Sequence, residues 1–177
     1  MVKPSPDRVL LAAMDGLGKD IEAAAAARTA VGVLRKYGAG SIVSLIKRCH
    51  RSLMMTRGAV MTLAAVDLRA NLHWLGIGNV EAVLVRADAA AVPAVERLRL
   101  QGGVVGYQLP ILAERKRTLQ PGDILALATD GIQGDFVGEL RREENPQRMA
   151  ERILERHFKG NDDALILVAR YSRAAHE

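Results

Sequence analysis

The chain has 177 residues, enough for one domain, and 49% of them are hydrophobic, so a sizeable core can form. Only 3% are aromatic, which leaves that core to Ala, Val, Leu and Ile. The net charge of +5 is scattered, densest at Arg115-Lys116-Arg117, with no interleaved aromatics for base stacking; this argues against a nucleic-acid surface, and an acidic or phosphorylated protein partner accounts for the charge equally well.

Cys49 is the single cysteine, so no intramolecular disulfide can form, and a lone thiol suits a reducing cytosol. It falls on the apolar face of a predicted helix and reads as a buried structural thiol. The stretch from Met1 to Pro6 holds two prolines and no long apolar run. No segment reaches the roughly twenty apolar residues that span a bilayer. The expectation is a cytoplasmic protein that does not contact the membrane.

In chain order, Arg8 to Met14 is an apolar run that predicts a buried strand ending in the turn Asp15-Gly16-Leu17-Gly18. A helix follows from about Asp20 to Tyr37, with Ile21, Ala24, Ala25, Val31 and Leu34 as its apolar stripe. Ser41 caps a second helix, where Ile42, Leu45, Ile46, Cys49 and Leu53 repeat at helical spacing. Strands are expected at Gly58 to Leu68, Leu72 to Ile77, Glu81 to Arg86, Val95 to Leu100, Ile111 to Thr118 and Asp123 to Ala128. Asn145-Pro146 opens a third helix to about His157, with Met149, Ile153 and Leu154 inward, and Ala164 to Arg170 is a final strand. Mostly consecutive strands with segregated helices predict an α+β fold of antiparallel sheets, in a single domain over residues 1–177.

Three aspartate sites share one context. Asp15 and Asp130 follow apolar runs, and Asp162-Asp163 precedes one, so each carboxylate stands at the end of a predicted buried strand. Asp15 and Asp130 are each followed by glycine, which permits a sharp turn. Gathered carboxylates repel, a pair at 4 Å by roughly 4 kcal/mol at an effective dielectric of 20. A cluster would need a counter-charge, and hard oxygen ligands suit Mg²⁺ or Mn²⁺. Spacing alone does not bring the three together, and Asp-Gly is also a common turn dipeptide.

The motifs resemble a known family. Ala13-Met14-Asp15-Gly16-Leu17-Gly18, Ala128-Thr129-Asp130-Gly131-Ile132 and Gly160-Asn161-Asp162-Asp163-Ala164-Leu165 are similar to the acidic motifs of the metal-dependent protein phosphatases, the PPM or type 2C family. Leu75-Gly76-Ile77-Gly78-Asn79 and Thr56-Arg57-Gly58-Ala59 match the family's glycine turn and the small residues that open an earlier strand. The size and the segment from Asp15 to Ala59 look most like the SpoIIE-like, RsbX-type branch.

The resemblance implies an αββα sandwich and a bacterial phosphoserine/phosphothreonine phosphatase that resets stress signalling. Its partners would be phosphorylated STAS-domain stressosome proteins, RsbR- or RsbS-like. Two Mn²⁺ or Mg²⁺ ions are implied, held by Asp15, the Gly16 carbonyl, Asp130 and Asp162, which would act through an activated water. Asp163, Gly131, Gly78 and Asn79 would support them from behind.

The match departs from the family's pattern in three places. The earlier acidic motif on a strand before Asp15 has no counterpart, since Asp7 stands at a turn. Leu165 replaces a usual threonine, and no N-terminal phosphate-binding arginine is apparent. These departures leave an alternative open, a catalytically degenerate domain acting as a protein-binding regulatory module. A general acid for the leaving oxygen is not obvious in the sequence; His50, His73 and His157 fall on predicted helices or strands and are expected to be structural.

Overall fold

Strand β2 (Arg8–Gly16) serves two cores at once in the computed structural model, which describes residues 1–160 and 163–172. Leu10 and Ala12 face one way, into a cluster with two helices; Leu11 and Ala13 face the other, into the space between two sheets. Strand β3 (Ala59–Asp67) does the same, with Met61 and Leu63 outward and Val60 and Ala64 inward. Burial on both faces is why these strands read as continuous apolar runs instead of alternating ones.

β1 (Val2–Ser5), β2, β3, β4 (Asn71–Ile77) and β7 (Arg115–Thr118) form a five-stranded sheet in the order β1-β2-β3-β4-β7. β5 (Glu81–Val85), β6 (Val95–Arg97), β8 (Ile124–Ala128) and β9 (Ile166–Arg170) form a second sheet, ordered β6-β5-β8-β9. Every pairing between these strands is antiparallel. Helices α1 (Ile21–Tyr37) and α2 (Ile42–Leu53) cover the outer face of the first sheet. Helix α3 (Pro146–His157) and a 3-10 turn at Phe136–Glu139 cover the second. Trp74, Leu72, Leu84 and Leu127 fill the space between the sheets. The αββα sandwich implied by the sequence is thus the observed architecture. Among the described residues, no helix is long and apolar enough to cross a membrane.

The helices begin where the caps predict. Asp20 Oδ1 accepts from the N–H groups of Glu22 and Ala23, Ser41 Oγ from Ser44, and Asn145 Oδ1 from Gln147. Each such cap contributes about 1 kcal/mol.

Several expectations are corrected. α1 buries Ala23, Ala26, Ala30 and Leu34, whereas Ile21 is 79% exposed. An alanine-rich helix offers two arcs of similar hydrophobicity, and contact with the sheet selects the one whose small side chains permit the closest approach. On α3, Met149 and Ile153 are buried while Leu154 is exposed. Val95 to Leu100 and Ile111 to Thr118 shorten to β6 and β7. β1 was not expected from a stretch holding Pro4 and Pro6; it pairs at the sheet edge, where a missing N–H is tolerated.

Candidate functional site

Asp15 lies in the last turn of the pleat of β2, opposite Val60, and Gly16 lies opposite Ala59. Gly16 is buried, and a Cβ built on it would meet the Ala23 carbonyl oxygen at 2.0 Å. The N-terminal turn of α1 therefore rests directly on the Asp15-Gly16 backbone, and only glycine permits that approach. Arg57 ties the same corner together. Its Nε donates to Glu22 Oε2 at 2.8 Å and its Nη2 reaches Asp20 Oδ2 at 3.0 Å, across the loop that follows Gly16.

Asp130 stands just past the end of β8, in the second sheet, and is exposed. Asn79 Nδ2, from the turn between β4 and β5, donates to Asp130 Oδ2 at 2.7 Å. That turn needs Gly78, whose φ is 89° and whose added Cβ would lie 2.2 Å from Val60 Cγ1. The Asp130 loop is pinned from its other side. Thr129 Oγ1 accepts from Leu165 N at 2.8 Å, and Thr129 N donates to Leu165 O at 3.0 Å. Lys159 donates through its backbone N to Gly131 O at 3.0 Å and through Nζ to Asp130 O at 2.6 Å. A Cβ on Gly131 would meet Asp163 O at 2.2 Å, so the Asp130-Gly131 turn and the Asp163 backbone are in direct contact.

A cavity of about 290 Å³ opens where these strand ends converge. Asp15 and Gly16 line it from the first sheet, Thr129 and Asp163 from the second, and Lys19 from the loop before α1. Of the residues singled out by sequence, Asp15, Gly16 and Asp163 share this cavity. Asp130, Asn79, Gly78 and Gly131 stand around the neighbouring loop. Asp162 lies outside the described residues. Among the described residues no three His, Cys, Asp or Glu side chains form a group able to hold a metal ion. Asp15 and Asp163 bring carboxylates to the cavity wall, and oxygen donors of this kind fit Mg²⁺ or Mn²⁺.

Lys19, Thr129, Arg57 and Lys159 are residues that the sequence reading missed as parts of this corner. Lys19 and Thr129 carried a signal, being adjacent to the Asp-Gly motifs. Arg57 stands inside the Thr56-Arg57-Gly58-Ala59 motif and Lys159 directly before Gly160, but their roles were hidden because their partners lie far off in sequence.

The other reactive groups are engaged elsewhere. His50 Nδ1 accepts from Gly106 N at 3.0 Å, His73 Nδ1 lies 2.7 Å from Glu114, and His157 Nδ1 lies 3.0 Å from Asp135. None of these three rings lines the cavity. Cys49 is fully buried, and burial pushes its thiol up to about 12, so it is inert at neutral pH.

The family profile of stage II sporulation protein E (SpoIIE) matches residues 5–172. No curated protein matches the chain. Among solved structures, one described as the bacterial stressosome, a modular system adapted to control secondary messenger signalling, is 28% identical with a TM-score of 0.86, covering 96% of this chain and 88% of that one. RsbX in complex with magnesium is 17% identical with a TM-score of 0.81, covering 94% and 82%. The PP2C phosphatase domain of SpoIIE from Bacillus subtilis is 19% identical with a TM-score of 0.74, covering 97% and 57%. The last two likenesses are of fold.

Proposed function

The chain belongs to the SpoIIE family, and on that premise we propose that it is a metal-dependent phosphatase acting on phosphoserine or phosphothreonine in a protein. The observation that carries this reading is the convergence of Asp15 and Asp163, from opposite sheets, on one cavity beside the pinned Asp130 loop. In this reading Asp15, the Gly16 carbonyl, Asp130 and Asp162 hold two divalent ions, Mn²⁺ or Mg²⁺, with Asp163 close behind. Bound ions of this kind neutralise phosphoryl oxygens and acidify an attacking water.

The chain's own residues have defined tasks. Asn79 fixes the orientation of the Asp130 carboxylate. Thr129 and Lys159 fix the loop that carries it. The seating of α1 on Gly16 fixes the Asp15 end of β2. Lys19 stands on the cavity wall and adds positive charge beside it. In this reading water attacks directly, and the three engaged histidines and the inert Cys49 stay outside the chemistry.

The substrate proposed is a phosphorylated STAS-domain protein of a stressosome, which the likeness to RsbX and to a stressosome component supports. The lone buried thiol supports a cytoplasmic setting. The test is phosphate release from a phosphorylated STAS-domain protein in Mn²⁺, repeated in excess EDTA. Turnover that requires Mn²⁺ is expected. Full activity in EDTA would defeat the reading, and binding without turnover would favour the regulatory module instead.

A further inference from the structure

We propose that the Asp15 cavity continues along α1 into a groove that seats the substrate chain, and that Arg28 and Arg35 there select acidic side chains flanking the phosphorylated residue. The proposal rests on the phosphatase reading above and names what that site recognises.

A second cavity of about 520 Å³ adjoins the first and shares Met14, Ala27 and Leu165 with it. The two thus lie side by side along α1, from Asp15 toward Arg35. Arg28, Gly32 and Arg35 line the second cavity and are all exposed. Arg28 and Arg35 are two helical turns apart, so their side chains leave the same side of α1.

The charge at this end is uncommitted. Arg57, Arg97, Arg117, Arg152 and Arg156 each pair with a carboxylate. Among the described residues Arg28 and Arg35 have no ion pair. Gly32 is a second, independent sign. Glycine inside a helix is less stable than alanine, yet a Cβ on Gly32 would meet nothing within 4 Å. Packing within the chain does not require this glycine; it keeps the groove floor low between the two arginines.

The dimensions suit an extended peptide. At 1.5 Å per residue, Arg28 lies about 8 Å and Arg35 about 18 Å along α1 from Ala23, the residue that rests on Gly16. An extended chain advances about 3.3 Å per residue, so the two arginines meet side chains roughly two to three and five to six residues from the phosphorylated one.

The test measures binding of fluorescent peptides carrying a non-hydrolysable phosphonate in place of phosphoserine, with Asp or Lys at those two distances. By fluorescence anisotropy at low salt, the full chain is expected to bind the Asp peptide about ten-fold more tightly than the Lys peptide. Arg28→Glu with Arg35→Glu, both at exposed positions, is expected to reverse that order, and Gly32→Leu to weaken both peptides. The same preference before and after charge reversal would overturn the proposal. So would a dimer in sedimentation that Gly32→Leu dissociates, since the groove would then be a self-contact. Failure of the wild type to hydrolyse p-nitrophenyl phosphate in Mn²⁺ would count against the phosphatase reading alone; reversal of peptide preference would still support the groove.

Discussion

Strand β8 carries an aspartate near each end, and the two could hardly differ more. Asp123, before the strand, is 2% exposed. Its Oδ1 accepts from Ala87 N at 2.7 Å, and its Oδ2 accepts from Gln120 N at 2.8 Å and pairs with Arg86 Nη1 at 3.1 Å. Asp130, after the strand, is exposed, and its described side-chain partner is Asn79. One carboxylate is saturated by its own chain and stabilises the fold. The other is held in place with capacity left over, on the side of the molecule where Asp15 and Asp163 line a cavity. The pair teaches that in this fold an aspartate's position at a strand end says little, and its complement of partners says what it is for.

Exchanging roles at these two positions gives the largest effects. Asp130→Asn is expected to lower kcat/KM for a phosphoprotein by at least about 10³-fold, roughly 4 kcal/mol of lost transition-state stabilisation, while leaving Tm unchanged or raised. Steady-state kinetics and calorimetry on one preparation check both halves. Asp123→Ala should do the opposite. It strands two backbone N–H groups and the Arg86 charge, for a loss of about 2–4 kcal/mol and a Tm lower by roughly 5–12 °C. Its activity per folded molecule should persist, and a collapse of kcat at a temperature where the protein is still folded would break the contrast.

Asn79→Ala sharpens the comparison more gently. It removes the hydrogen bond that orients Asp130 and is expected to reduce Mn²⁺ affinity or activity by about 10–100-fold, with little change in Tm. An unaffected enzyme would mean that the Asp130 loop is held by Thr129 and Lys159 alone.

The smallest effect concerns a carboxylate of the structural kind far from the cavity. Hydrogen bonds from Arg152, with Arg156 adding to them, hold the Glu139 carboxyl below its ordinary range. Its contribution to stability is therefore present above the ordinary carboxylate pKa, about 4.3 for Glu, and fades as pH falls through the depressed folded value. Glu139→Gln should lower Tm at pH 7 and converge with the wild type in acid. A constant difference at every pH would contradict that ion pair's role.

Much of this was legible in the sequence, and the reasons are specific. Apolar runs marked β2 and β8 because burial on both faces removes alternation, and β9, half-buried along its length, reads the same way. Asp20, Ser41 and Asn145-Pro146 marked the helix starts because capping is local. The Asp-Gly motifs pointed to Asp15 and Asp130, but for another reason than the expected sharp turn: β2 runs through Gly16, neither glycine has a positive φ, and each is required by a close contact, with Ala23 O and with Asp163 O. What stayed hidden depends on distant partners. Nothing near Asp123 in sequence announces Ala87 and Arg86, and nothing near Arg57 announces Asp20 and Glu22. The buried arc of α1 was misjudged because alanine gives hydrophobicity no direction, and contact with Gly16 decided it.

Whether the carboxylates at these strand ends take up divalent ions is the most direct test. Calorimetric titration of Mn²⁺ into the wild type, Asp130→Asn and Asp123→Asn measures this without relying on turnover. The account predicts binding of up to two ions by the wild type, loss or at least about ten-fold weakening in Asp130→Asn, and wild-type binding by folded Asp123→Asn. Equal Mn²⁺ binding by the wild type and Asp130→Asn, or none by the wild type, would contradict it.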